Sequence, residues 1–260
     1  SLDDVEVQYN DTLGTPFGYG TYGSRSAAVG GTALFNAVQK VKQKAVRIGA
    51  HMLEASPDDV VFEDGKVSVK GSPDQAKTIQ EIAGAAALGY SLPEGDEPFL
   101  DETAYFDPPN TTWPFGTHIC VVEVEKDTGS VMVKKYLAVD DVGNVVNPMI
   151  VDGQIHGGIA QGVAQALWES GEYNESGQLV SGSMMDYAIP RTDCLPSFEL
   201  DRTVTPSPTN PLGVKGVGET GTIASTPAVV NAVMDALSPF GVTHLDMPLT
   251  SQKIWNAIQS

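Results

Sequence analysis

Apolar residues at Val29, Ala33, Ala37, Val41 and Ile48 recur every three or four positions, or at multiples of those spacings. That is the period of one helix face, and it predicts a helix from about Ser24 to Glu54. Ser56-Pro57-Asp58 ends it. Val60–Phe62 and Lys66–Val69 then flank Asp64-Gly65, the dipeptide best suited to a two-residue hairpin turn. Thr78-Ile79-Gln80-Glu81 reads as a capping box opening a second helix that runs through an Ala-rich stretch to Leu88. Residues 91–115, rich in proline and acidic side chains, predict a loop with one short strand near Tyr105. Two strands follow, His118–Val124 and Val131–Val139, turning at Thr128-Gly129.

From Asp152 the pattern changes to a helix ending near Glu169. Its small residues at 153, 157, 158, 160 and 162 allow another backbone or a ligand to come close. Beyond a turn-rich middle, two last helices are predicted, Ile223–Leu237 and Ser251–Ile258, the latter capped by Thr250. There is no internal repeat and no low-complexity tract. Interspersed strands and helices indicate an α+β (mixed α/β) fold.

At 260 residues the chain is long enough for one large domain or two small ones. Fifteen basic against 33 acidic residues leave a formal charge of −18. Such a chain repels a phosphate backbone, so no nucleic-acid partner is expected. No run of 18 apolar residues is present, so no membrane-spanning helix is expected. No basic-then-apolar leader opens the sequence. Cys120 lies in an apolar run and Cys194 in a polar loop. Two cysteines without a Cys-x-x-Cys cannot by themselves hold an iron–sulfur cluster, and they read as reduced thiols of an intracellular protein. His51, His118, His156 and His244 are scattered without a His-Glu-x-x-His, so no protein-ligated metal site is predicted.

Three segments could carry chemistry. Gly18-Tyr19-Gly20-Thr21-Tyr22-Gly23 fits Gly-x-Gly-x-x-Gly, but no strand leads into it and residue 43 lies within a helix, so a dinucleotide fold is not supported. The same glycine-rich loop feeds Ser24-Arg25-Ser26 at a helix start. Backbone N–H groups, hydroxyls and a guanidinium there suit an anionic, phosphate-bearing ligand; equally, Ser24 could be a plain N-cap and Arg25 a solvated charge. In the second segment, glycines at 213, 216, 218 and 221 strip side chains from around one carboxylate, Glu219, with Lys215 four residues before it. Glu219 could serve as a base beside a bulky ligand, or be a surface residue of a flexible loop. In the third, Gln154 and Gln161, seven apart on one helix face, could read a heterocycle through their amides or face solvent.

Taken together, Gly213-Val214-Lys215-Gly216-Val217-Gly218-Glu219, Asp152-Gly153-Gln154-Ile155-His156-Gly157-Gly158-Ile159-Ala160-Gln161-Gly162 and Asp140-Asp141-Val142-Gly143-Asn144-Val145-Val146-Asn147-Pro148 resemble the molybdenum hydroxylases, the xanthine and aldehyde oxidase family. The likeness is to the C-terminal part of the molybdopterin-binding large subunit, on the branch that includes aerobic carbon monoxide dehydrogenase. It runs from Gly18 to the helix after Glu219.

The resemblance implies that Glu219 is the catalytic base beside molybdenum. It implies that Gln154 binds the pterin, that Ser24, Arg25, Ser26, Ala27 and Ala28 wrap the cofactor, and that Lys215 and Gly216 lie on the loop leading to the base. The implied cofactor is molybdopterin cytosine dinucleotide with molybdenum, whose own sulfurs hold the metal. The implied reaction is water-derived hydroxylation of carbon monoxide, an aldehyde or an N-heteroaromatic compound. The remainder of the molybdenum-binding subunit, and iron–sulfur (2Fe-2S) and flavin (FAD) subunits, are the implied partners, and the cytoplasm the implied compartment. Residues 1–260 would then be one part of a longer or split subunit, inactive alone. The competing expectation is a non-catalytic assembly module that retains the fold.

Overall fold

The computed structural model describes residues 2–9, 11–14 and 18–260. Part of the predicted glycine- and tyrosine-rich loop, Thr15-Pro16-Phe17, lies outside the described residues. The chain divides into two compact units, one of Val29–Asn110 and one of Thr111–Ser260 together with the N-terminal segment through Ala28.

In the unit of Val29–Asn110, helix α1 (Thr32–Met52) is followed by a three-stranded antiparallel sheet in the order β1 (Val60–Glu63), β2 (Lys66–Val69), β3 (Ser72–Thr78), and then by helix α2 (Ile79–Leu88). Asp64 and Gly65 both take positive φ, 47° and 70°, as a hairpin turn of matching twist requires. Thr78 caps α2: its hydroxyl accepts from Glu81 N while the Glu81 carboxylate accepts from Thr78 N. Ala45, Ile48, Val60, Val67, Ile82 and Ala86 form this unit's core. No strand forms near Tyr105, contrary to expectation. Residues 101–108 are irregular, and Pro108-Pro109 and neighbouring acidic residues leave Tyr105 and Phe106 no ladder to join.

The second unit is a three-stranded sheet packed on helices. Strands β4 (Phe115–Glu125) and β5 (Ser130–Asp141) pair antiparallel, and β6 (Phe198–Thr203) joins β5 in parallel. Helix α3 (Pro148–Leu167) packs against α4 (Thr220–Leu237), α4 lies on β4, and α5 (Ser251–Gln259) covers the end of β5. The core joins Val133, Tyr136 and Ala138 of the sheet to Ile155, Ile159 and Val163 of α3 and Val229, Val233 and Leu237 of α4. Beneath the sheet, His118 Nδ1 lies 2.9 Å from Tyr136 Oη, and its Nε2 lies 3.2 Å from Asp140 Oδ2. This buried chain of polar groups ties β4 to β5. Burial pushes the Tyr136 hydroxyl upward, reinforced by Cys120 and Asp140, and burial raises the Cys120 thiol to about 11.

The small residues of α3 differ in their surroundings from one position to the next. A Cβ on Gly158 would stand 2.8 Å from Gly221 Cα and from Thr222 N, and one on Gly162 would collide with Ser225. These glycines let α4 approach. A Cβ on Gly153 or Gly157 would meet nothing within 4 Å. Gly158→Ala therefore destabilises the unit by about 1–3 kcal/mol through overpacking. Gly153→Ala should stabilise the helix by about 0.5–1 kcal/mol. Opposite shifts in urea midpoint for the two variants check this, and equal shifts would contradict it.

Candidate active site

The site is assembled from three segments of the second unit. The first is the loop from Gly213 to Glu219, hydrogen-bonded along one side. Gly143 and Val214 form an isolated antiparallel bridge, and Lys215 N donates to Val142 O at 2.9 Å. Asn210 accepts from Val214 N through its Oδ1 and donates its Nδ2 to Val214 O. Asn144 donates its backbone N–H to Gly213 O and its side-chain Nδ2 to Leu212 O. Thr220 N and Oγ1 reach back to Val217 O and Gly216 O. Such saturation holds a glycine loop in one shape despite its intrinsic freedom.

Glu219 occupies the cap position of α4, with φ −107° and ψ −8°, but its side chain does not cap the helix. It points instead to the second segment, where Ser24 Oγ donates to Glu219 Oε2 at 2.7 Å. Ser24 is held at φ 52°, in the left-handed region that disfavours a side chain by about 1–2 kcal/mol. The close fit explains the glycines opposite. A Cβ on Gly216 would stand 2.6 Å from Ser24 Cβ and 2.6 Å from Ser24 O. One on Gly218 would stand 3.1 Å from Ser24 Oγ and 3.4 Å from Gln154 Nε2.

The third segment is the start of α3. Asn147 caps it by accepting from Ile150 N, and Pro148 occupies its first turn, so the helix begins four residues before the expected Asp152. Asp152 is paired with Arg202 of β6. Two residues later, Gln154 turns its amide toward Gly218 of the glycine loop.

Thr21, Ser24, Ser26, Ala27, Ile150, Gln154 and Lys215–Glu219 line a cleft of ≈520 Å³. It brings together Ser24, Ser26, Ala27, Gln154, Lys215, Gly216 and Glu219 of the predicted site. Arg25 and Ala28 stand apart from the lining. Arg25 folds onto its own loop, donating to Gly20 O and Tyr22 Oη with its guanidinium 4.3 Å above the Tyr22 ring. Ala28 is buried. Gln161 is exposed and outside the cleft, so the two amides do not act on it as a pair. Glu219 is open to solvent on one side, yet in contact with the serine turn and beside the amide-bearing helix. A second hollow of ≈660 Å³, near Phe240–Leu245 and α5, holds none of the predicted residues.

Lys215 lines the cleft but commits its ammonium elsewhere. Its Nζ lies 2.8 Å from Asp141 Oδ1, both side chains are buried, and the cation sits 4.4 Å above the Phe115 ring. Asp141 also accepts from Gly143 N at 3.0 Å and Thr203 Oγ1 at 2.9 Å. Burial alone would raise this carboxyl. Lys215, Thr205, the Gly143 N–H and Thr203 outweigh it and lower the carboxyl to about 2. A depressed carboxyl contributes stability that is present above its unfolded value near ~4 and is lost as pH falls through its folded value. The urea midpoint should therefore drop between about pH 4 and about pH 2, and Asp141→Asn should flatten that dependence. An unchanged slope in the variant would contradict the assignment.

Asp141, Asn144 and Asn210 are the contributors for which the residue pattern assigns no role. Their signal is slight: a strand ending in two consecutive aspartates, an asparagine after Gly143 and another before Pro211. Among the described residues, no three His, Cys, Asp or Glu side chains gather to hold a metal ion. No described helix is long and apolar enough to cross a membrane.

Residues 1–196 match the family model described as the molybdopterin cofactor-binding domain. The chain is 43% identical over 255 residues to the carbon monoxide dehydrogenase large chain of Hydrogenophaga pseudoflava, covering 98% of this chain and 32% of that one. It is 39% identical over 257 residues to the nicotine 6-hydroxylase large subunit of Paenarthrobacter nicotinovorans, covering 98% and 32%. Reconstituted CO dehydrogenase from Oligotropha carboxidovorans superposes with a TM-score of 0.90 at 39% identity, over 99% of this chain and 32% of that one. The chain thus spans about a third of the length of the relatives it matches. With the fold and the motifs in register, the chain belongs to the molybdopterin cofactor-binding domain family of the molybdenum hydroxylases.

Proposed function

We propose that this chain is the C-terminal part of a molybdenum hydroxylase large subunit, forming one wall of the cofactor cleft and supplying Glu219 as general base. The observation that carries the reading is the hydrogen bond from Ser24 Oγ to Glu219 Oε2, which joins residues 195 positions apart at the mouth of a cleft. One carboxylate oxygen is thereby oriented and the other left to accept a proton.

The donor set suits molybdopterin cytosine dinucleotide. The cleft offers the Thr21 and Ser26 hydroxyls, which bond each other, the Gln154 carboxamide and the backbone of Gly218. The α3 surface at Gly153 and Gly157 is bare of side chains. These groups can hold a polar heterocycle and its phosphates, and the metal ligands would come with the cofactor itself. When bound, the cofactor supplies two-electron redox chemistry. Gln154 would bind the pterin edge, the Ser24–Ala27 turn would close over it, and Glu219 would take the proton from a water-derived oxygen as that oxygen attacks the substrate carbon. A positioned base of this kind contributes about 10²–10⁴-fold.

The substrate proposed is a small carbon compound, carbon monoxide, an aldehyde or an N-heteroaromatic; similarity to a carbon monoxide dehydrogenase and a nicotine 6-hydroxylase supports the first and the last of these. Exposed Phe115, Ile119 and Val121 on β4 and Met132 on β5 fit burial against the remainder of the subunit, with iron–sulfur and flavin subunits completing a cytoplasmic complex. Molybdenum and cytosine-nucleotide analysis of the natively purified complex tests the reading. Near-equimolar amounts of both are expected. Their absence would favour an assembly module without catalysis.

A further inference from the structure

We propose that the buried Asp141–Lys215 pair is a positioning device for Glu219, an inference that rests on the base role given to that residue. A buried ion pair contributes little net stability, because desolvation of both groups offsets their attraction. Its geometry, by contrast, is highly constraining. Asp141 gathers three chain segments at one carboxylate: the turn after β5 through Gly143 N, the end of β6 through Thr203 Oγ1, and the glycine loop through Lys215 Nζ. Phe115 of β4, the cross-strand partner of Asp141, presents its ring to the same ammonium at 4.4 Å. The residue after Lys215 is Gly216, packed on Ser24, and Glu219 follows three residues later.

Lys215 thus acts as a strut. Its backbone is hydrogen-bonded to Val142 O and its side chain reaches the strand end, while of the three residues between it and Glu219 two are glycines and only Val217 has a side chain, which packs on the core. Displacing a base by about 1 Å can cost ~10²-fold in rate. A rigid sheet end under the loop is a means of preventing that displacement.

The test uses the full-length large subunit assembled in its complex. Asp141→Asn or Lys215→Met alone leaves one buried group unpaired and lowers stability, which confounds a rate measurement, so the decisive variant is the double one, D141N/K215M. Expected are unchanged molybdenum content and KM, kcat per bound molybdenum lowered about 10–100-fold, and faster hydrogen exchange at the amides of residues 213–218. A purely structural role would lower cofactor content and leave kcat per bound molybdenum unchanged. That result, or unaltered exchange in the loop, would overturn the proposal. Glu219→Gln, measured alongside, separates the two claims. If it keeps full turnover, the base reading fails. If it loses turnover while the double variant keeps it, only the positioning role fails.

Discussion

Replacing Glu219 by Gln in the assembled enzyme is expected to lower kcat by about 10²–10⁴-fold while molybdenum content stays unchanged. Glutamine has nearly the same shape, and its amide oxygen can still accept the hydrogen bond that Ser24 Oγ gives to Oε2. The saturated bonds along Gly213–Val217 do not involve the carboxylate, so the loop should keep its course. What disappears is the capacity to take a proton. Turnover per bound molybdenum separates this from a binding defect. Wild-type turnover at full occupancy would remove Glu219 from the chemistry.

The second large effect is expected at Gly216, for a steric reason. Its φ lies outside the left-handed region, so alanine is permitted by the backbone. A Cβ there would nonetheless stand 2.6 Å from both Ser24 Cβ and Ser24 O, and a backbone carbonyl cannot swing aside as a side-chain tip can. The loop cannot retreat, because Asp141, Asn210 and Asn144 hold it from behind. The serine turn must therefore move, breaking the Ser24–Glu219 contact and opening the cleft. Gly216→Ala should reduce retained molybdenum at least about tenfold, equivalent to ~1.4 kcal/mol of lost affinity. Gly218→Ala, whose Cβ would come nearest to the rotatable Ser24 hydroxyl at 3.1 Å and to Gln154 Nε2 at 3.4 Å, should be milder. Equal cofactor content in the two variants would contradict this account of the cleft.

Features governed by neighbouring residues were legible without coordinates. The Asp64-Gly65 hairpin and the Thr78–Glu81 capping box are decided within four residues, and both form. Strands governed by distant pairing were not. Strand β3, Ser-Pro-Asp-Gln-Ala-Lys-Thr, has almost no intrinsic β preference and exists because β2 pairs with it. Strand β6 has two apolar residues and is recruited as a parallel neighbour of β5. Tyr105 shows the converse, with apolar residues of suitable type lacking a partner strand.

The site divides along the same line. Glu219, Gln154 and Ser24 were visible as chemistry-bearing residues among glycines, and they converge in the structure. The destination of the Lys215 side chain was not visible, because Asp141 lies 74 residues away and nothing local indicates a buried pair. Arg25 had the right charge for a phosphate, but its partners within its own loop, Gly20 O and Tyr22, are set by the backbone path.

The most direct measurement is an anomalous difference map, recorded at the molybdenum edge from crystals of the complete complex. The account predicts a metal peak within the cleft bounded by Ser24, Gln154, Gly216 and Glu219, with the Glu219 carboxylate turned toward it. A peak elsewhere, with that carboxylate facing open solvent, would contradict it.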